Sequence, residues 1–116
     1  MNRQLAEARG RKAEAIAAWW LRLKGWRILA TRARVPGGEV DLVARRGRTV
    51  AFVEIKQRRS ADAAAWSLDE YRLRRVAVAT KRLAPRYVQD GHDIRIDALF
   101  IVPGRLPRHL PNVWHG

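Results

Sequence analysis

Residues 38–57 read GEVDLVARRGRTVAFVEIKQ, and the alternation within them decides the fold. From Glu39 to Arg45, Val40, Leu42 and Ala44 alternate with Glu39, Asp41 and Val43, which is the period of a β-strand. Arg46, Gly47 and Arg48 supply a hairpin tip, and Thr49 to Lys56 forms the returning strand. On that strand Ala51, Val53 and Ile55 share one face, while Val50, Phe52, Glu54 and Lys56 share the other. The strand is therefore apolar on both sides until its C-terminal end, as a central strand covered on both faces must be.

Working outward, Ala6, Ala13, Ile16, Ala17, Trp20 and Leu23 recur at helical spacing between Gln4 and Leu23, with Arg11, Lys12, Arg22 and Lys24 interspersed. Gly25 stops this helix. Trp26 to Ala30 reads as a short strand, and Pro36, Gly37 and Gly38 as a turn. On the other side, Ser60 to Trp66 is Ala-rich, a loop or a frayed helical turn. Ser67, Leu68, Asp69 and Glu70 fit a capping box that opens a helix through Leu73, Val76, Ala77 and Thr80. Pro85 kinks that helix or starts a second one to about Gln89, and Asp90 and Gly91 end it. Asp93 to Val102 alternates as a further strand, and Pro107 and Pro111 make the remainder irregular. The order helix, three strands, helix, strand predicts an α/β fold with a mixed central β-sheet flanked by helices. One domain over residues 1–103 and an irregular C-terminal tail over 104–116 follow from it.

Composition bounds the partner. The 116 residues carry 24 Lys plus Arg against 11 Asp plus Glu, a formal charge of +13, and a pI near 11.6. A polyanion, nucleic acid above all, matches that charge. The apolar run Ala15 to Leu21 is too short to cross a bilayer, and Met1 to Gly10 lacks a signal core, so the expectation is a cytoplasmic protein with no membrane partner. No cysteine is present, which excludes disulfides, thiolate metal sites and cysteine nucleophiles. No phosphate loop, serine elbow or dinucleotide fingerprint appears either, so P-loop hydrolysis, serine hydrolysis and redox catalysis lack support.

Within each of the pairs Glu39/Asp41 and Glu54/Lys56 the residues lie two apart and share a strand face. If the two strands form the hairpin, Asp41 and Glu54 converge. Two close carboxylates repel unless one takes a proton or a divalent cation sits between them. Acidic oxygens without cysteine or a histidine cluster suit Mg²⁺ or Mn²⁺. Such an ion activates water and polarises a phosphoryl oxygen, and the Lys56 ammonium is placed to orient the water or neutralise charge growing on phosphorus.

Gly38 to Val43 followed by Phe52, Val53, Glu54, Ile55, Lys56, Gln57 and Arg58 resembles the YraN-like family of small bacterial proteins. That family is similar to the PD-(D/E)xK nuclease superfamily, so the resemblance implies the restriction-endonuclease-like fold shared with archaeal Holliday junction resolvases. It aligns Asp41 with the motif's isolated aspartate and Glu54, Ile55 and Lys56 with its ExK. Glu14, four residues after Gly10, resembles the family's helix glutamate, which implies a third metal ligand, and Arg95, Ile96 and Asp97 resemble its late strand motif. The likeness spans roughly Gly10 to Val102. It departs in the second long helix, where the family often carries a lysine and this chain reads Glu70, Tyr71, Arg72, Leu73, Arg74; Arg72 is the candidate to replace it in contacting substrate.

Each site residue also has a plainer reading. An ExK alone is most often a solvated strand end, and Glu14 is as readily an exposed residue paired with a nearby arginine. Asp97 reads as structural, and Glu39 as a metal ligand or the partner of a loop arginine. Arg32, Arg34, Arg45, Arg46, Arg48, Arg58 and Arg59 surround the site in sequence, and with Arg72 they are the candidate phosphate contacts. Trp19, Trp20 and Trp26 read as core rather than base-stacking platforms. His92, His109 and His115 lack metal-pair spacing and receive no role.

The sequence thus predicts a nucleic-acid-binding, metal-dependent endonuclease, with DNA ahead of RNA and branched DNA as one substrate form. The alternative is a non-catalytic nucleic-acid-binding or ribosome-associated protein on the same scaffold. A homodimer stays open at this point.

Overall fold

A computed structural model of the chain describes residues 3–115. In chain order it runs α1 (Arg3–Leu23), β1 (Arg27–Val35), β2 (Gly38–Arg46), β3 (Thr49–Gln57), a 3₁₀ turn (Ala63–Trp66), α2 (Glu70–Tyr87), β4 (Asp93–Ile101) and β5 (Arg108–Leu110). The strands form one sheet in the order β1-β2-β3-β4-β5. Only β3 and β4 pair in parallel, with Phe52 beside Ile96 and Glu54 beside Ala98; the remaining pairs are antiparallel. The expected mixed sheet is therefore the observed one, with β3 at its centre.

The two-sided apolar pattern of β3 is satisfied by a helix on each face. Val50 and Phe52 pack with Leu73, Val76, Ala79 and Leu83 of α2. Ala51 and Val53 pack with Ala17 and Leu21 of α1 and with Trp26. Complete burial of a side chain such as Phe52 contributes about 1.5–3 kcal/mol, so these two small clusters carry the fold. Gly38 sets how closely α2 approaches: a Cβ there would collide with the Arg75 carbonyl and stand 2.7 Å from the Ala79 amide nitrogen. That close contact brings the first turns of α2 over the C-terminal end of β3.

Several elements differ from expectation. β1 continues beyond Ala30 to Val35, through a register shift between Ile28 and Ala30 and through Arg32 at φ 50°. The cap of α2 is Asp69, whose carboxylate accepts from the Tyr71 and Arg72 amides, rather than Ser67. Pro85 does not divide α2, which runs on to Tyr87, because in the last turn its missing N–H removes a single bond. The tail from residue 104 carries β5, where His109 faces Leu99, and the Val113 amide donates to the Ile96 carbonyl. Trp19 is about half exposed, so of the three tryptophans read as core only Trp26 is fully buried. No described helix is long and apolar enough to cross a membrane.

Candidate functional site

The last rung between β2 and β3 is Leu42–Val53, one position before Asp41 meets Glu54. There the Ile55 amide donates to Asp41 Oδ2 at 2.7 Å, so a carboxylate takes over from the backbone ladder. Burial, and next the neighbouring Glu54 charge, push the Asp41 carboxyl up from 3.8 to about 6, against the Ile55 hydrogen bond and Arg72. Asp41 has no ion-pair partner among the described residues.

Glu54 is buried to 1% exposure and is held by two cations: Lys56 Nζ at 3.3 Å and Arg72 Nη2 at 3.1 Å. Lys56 reaches it because residues two apart on β3 share a face. Arg72 reaches it because the Asp69 cap starts α2 directly above. Partial burial works against the Arg72 charge, but Glu54 outweighs it and holds the guanidinium's pKa above its usual value. Arg72 thus touches the site from the position where the family resemblance placed a lysine.

Arg32 lies between the rungs Thr31–Leu42 and Ala33–Val40, which sets it opposite Asp41 on the other edge of β2. Its Nε donates to both oxygens of Glu14 on α1, at 2.7 and 2.8 Å. Glu14 and Asp41 line one cleft of about 590 Å³, together with Arg11, Arg34 and Glu39. Glu14 is near enough to raise the Asp41 pKa slightly, yet it faces an arginine, and the described residues hold no cluster of three acidic or histidine side chains. Glu39 serves Arg75 at 3.7 Å and Arg34 at 3.8 Å, the arginine-partner alternative.

Of the arginines marked as phosphate contacts, Arg32 and Arg34 line this cleft, and Arg72 pairs with Glu54 beside Asp41. Arg45, Arg46 and Arg48 stand at the far end of the β2–β3 hairpin with structural partners. Arg45 meets His92, Arg46 lies over Trp26 and donates to the Lys24 carbonyl, and Arg48 donates to Gly91. Arg58 donates to the Ala65 and Ser67 carbonyls and so pins the 3₁₀ turn. Arg59 is exposed on a different cavity.

Asp97 is structural. It is wholly buried and accepts from Arg95 at 2.8 and 2.9 Å and from the Asn112 amide at 2.9 Å, with His109 Nε2 at 2.7 Å. Burial alone would raise its pKa, but these partners together hold it below the ordinary carboxylate value. His109 had no role in the sequence because its contact needs the pairing of β5 with β4, which local spacing does not reveal.

A family model described as "Uncharacterised protein family UPF0102" matches residues 13–101. A UPF0102 protein of Sphingopyxis alaskensis is 62% identical over 98% of this chain and 98% of its own length. One from Rhizorhabdus wittichii is 57% identical over 100% and 99%, and one from Erythrobacter litoralis 54% over 98% and 98%. Among solved structures the fold is similar to that of Hjc, a Holliday junction resolvase of Archaeoglobus fulgidus. The TM-score is 0.59 at 18% identity, over 87% of this chain and 75% of that one. At that identity the likeness shows the fold, and the fold is the restriction-endonuclease-like one.

Proposed function

Starting from the fact that this chain belongs to the uncharacterised protein family UPF0102, we propose that it is a metal-dependent endonuclease that hydrolyses phosphodiester bonds in DNA. The observation that carries the reading is Asp41: a part-buried carboxylate beside Glu54, with its pKa raised to about 6 and no ion-pair partner among the described residues. A group in that state is a ready ligand, because a divalent ion relieves both the burial cost and the repulsion.

The donor set fits Mg²⁺ or Mn²⁺. Mg²⁺ keeps several waters and is commonly bound by one or two carboxylates together with substrate phosphate, so the Asp41/Glu54 pair suffices without a third acid. Asp41 and Glu54 would hold the ion, and Glu14 joins them only if it leaves Arg32. When bound, the ion supplies Lewis acidity toward a phosphoryl oxygen and a more acidic water. The Lys56 ammonium lies against Glu54 and is placed to orient the attacking water or to offset charge on the phosphate. Arg72, exposed on one side and paired with Glu54 on the other, offers a second cation to the phosphate. Arg34, with its side chain 83% exposed, offers a contact to the backbone beyond.

One observation favours the non-catalytic alternative: Arg32 already neutralises Glu14, and Lys56 with Arg72 already neutralise Glu54. Cleavage separates the two. Wild-type and Asp41→Ala protein are incubated with labelled linear, flapped and four-way-junction DNA, with and without Mn²⁺, and resolved on a denaturing gel. Metal-dependent cutting that Asp41→Ala abolishes is the expected result; tight binding without cutting transfers the function to the binding scaffold.

A further inference from the structure

A second cavity lies apart from the Asp41 cleft. It measures about 660 Å³ and opens where the parallel strands β3 and β4 end, between Gln57–Arg59, Ile101–Arg105 and the α1 residues Lys12, Ala13 and Ile16. Crevices at the carboxyl ends of parallel strands are where open α/β sheets receive ligands. Helical geometry relates the two hollows: Gly10, Arg11 and Glu14 line the Asp41 cleft, whereas Lys12, Ala13 and Ile16 line this one. At about 100° per residue these sets lie on opposite flanks of α1, so the helix stands between two openings at the same end of the sheet.

The lining has a definite chemistry. Ile16, Ile101 and Pro103 form an aliphatic wall, and Lys12, Arg59 and Arg105 are exposed cations at its rim. No acidic side chain lines the cavity, and none of these three cations has an ion-pair partner among the described residues. Arg58 differs: its guanidinium is spent on the carbonyls of Gln57, Ala65 and Ser67, which makes it wall rather than ligand.

Three cations with no ion-pair partner among the described residues, beside an apolar wall, are complementary to an anion that also carries a flat apolar group. The volume lies within the range of about 300–1,000 Å³ that encloses a small organic ligand. We infer that this cavity holds an unpaired nucleotide of a nucleic-acid strand, its base against Ile16, Ile101 and Pro103 and its flanking phosphates on Lys12, Arg59 and Arg105. A paired and stacked base offers no apolar face to such a wall, whereas an unpaired one does. The inference rests on the nuclease reading and deepens it: the substrate class becomes nucleic acid with a single-stranded segment beside the duplex that enters the Asp41 cleft.

Binding tests it by fluorescence anisotropy, with a short labelled oligothymidylate and a blunt duplex as probes, across a salt series. The pocket variant is Lys12→Ala/Arg59→Ala/Arg105→Ala, and the control of equal charge is Lys81→Ala/Arg82→Ala/Arg86→Ala, three exposed residues of α2. Circular dichroism melts confirm that both fold. For single strands each lost phosphate contact removes about 0.7 from the log–log salt slope, so the pocket variant's slope on oligothymidylate falls by about 2. Its affinity falls at least about tenfold below the control's, while duplex binding drops alike in both. Equal losses of oligothymidylate binding in the two variants overturn the pocket. No binding of either probe by the wild type overturns it together with the nucleic-acid reading. Failure of the nuclease reading alone appears separately, in the Asp41→Ala cleavage gel.

Discussion

Replacing Asp41 with Asn should stabilise the protein at pH 8 and leave its stability unchanged near pH 3.5. The native carboxyl titrates near 6 instead of 3.8, chiefly because burial and Glu54 disfavour its charge. Below pH 3.8 the folded and unfolded chains both hold the proton. As pH rises, the unfolded chain releases it first, so stability falls until the native group ionises near 6. The whole rise corresponds to about 3 kcal/mol, and solvent screening at a partly open site reduces it to about 1–2 kcal/mol. Asp41→Asn removes this loss, and the amide oxygen of the replacement still accepts the Ile55 N–H. Urea denaturation at the two pH values is the assay. With a slope of about 2 kcal/mol/M, the variant's midpoint at pH 8 lies about 0.5–1 M above the wild type's. A variant that is less stable than wild type at pH 8, or equally shifted at both pH values, would refute the assignment of Asp41 as a destabilised carboxylate.

Further expectations follow from the same geometry. Mg²⁺ or Mn²⁺ at about a hundredfold over its dissociation constant should stabilise the wild type by about 2.7 kcal/mol at pH 8, and leave Asp41→Asn unmoved in a thermal melt. Gly38→Ala should cost about 1–3 kcal/mol, because its Cβ meets the backbone of α2 at Arg75 and Ala79, and a urea midpoint unchanged from wild type would sink that reading. Arg72→Ala should lower stability by about 1.5 kcal/mol by leaving Glu54 to Lys56 alone, and should weaken DNA binding where Arg72→Lys largely restores it. The Asp97 network should hold its contribution at neutral pH and lose it as pH falls from the ordinary carboxylate value through the depressed native one. His109→Ala should therefore narrow the acid side of the stability curve.

Much of this was legible from sequence because the decisive features were local and periodic. The period-2 pattern on β2 and β3 set the hairpin, and the register of that hairpin brought Asp41 to Glu54. What escaped depended on contacts between distant segments. β5 is three residues between two prolines, too short to show a pattern, and it exists because β4 offers an edge. The sequence pattern places the cap of α2 at Ser67, but the Ser67 carbonyl is held by Arg58, and the Asp69 carboxylate two residues on takes the free amides. The arginines of the hairpin tip looked like phosphate contacts by composition, but Arg46 and Arg48 are bound to backbone carbonyls supplied by the α1–β1 and α2–β4 turns. Charge can be counted from a sequence, but which charges are already paired cannot.

That distinction sharpens the view of the site. Its acidic residues are not equivalent: among the described residues Glu14, Glu39 and Glu54 each pair with arginine or lysine, and Asp41 pairs with none. An electrostatically complete cleft would have paired all four. Arginines surround it: Arg32 lies opposite Asp41 in the β1–β2 register, Arg72 acts on its charge and Arg34 lines the same cleft. Arg32 instead turns to Glu14, with its backbone held at φ 50°, a conformation disfavoured for a residue bearing a side chain. A carboxylate kept unpaired among arginines, in a charge state that burial disfavours, is costly as architecture and useful as a ligand. The cost falls on Asp41, an acid that both lines the cleft and adjoins Glu54, which is the position the proposed metal ion requires.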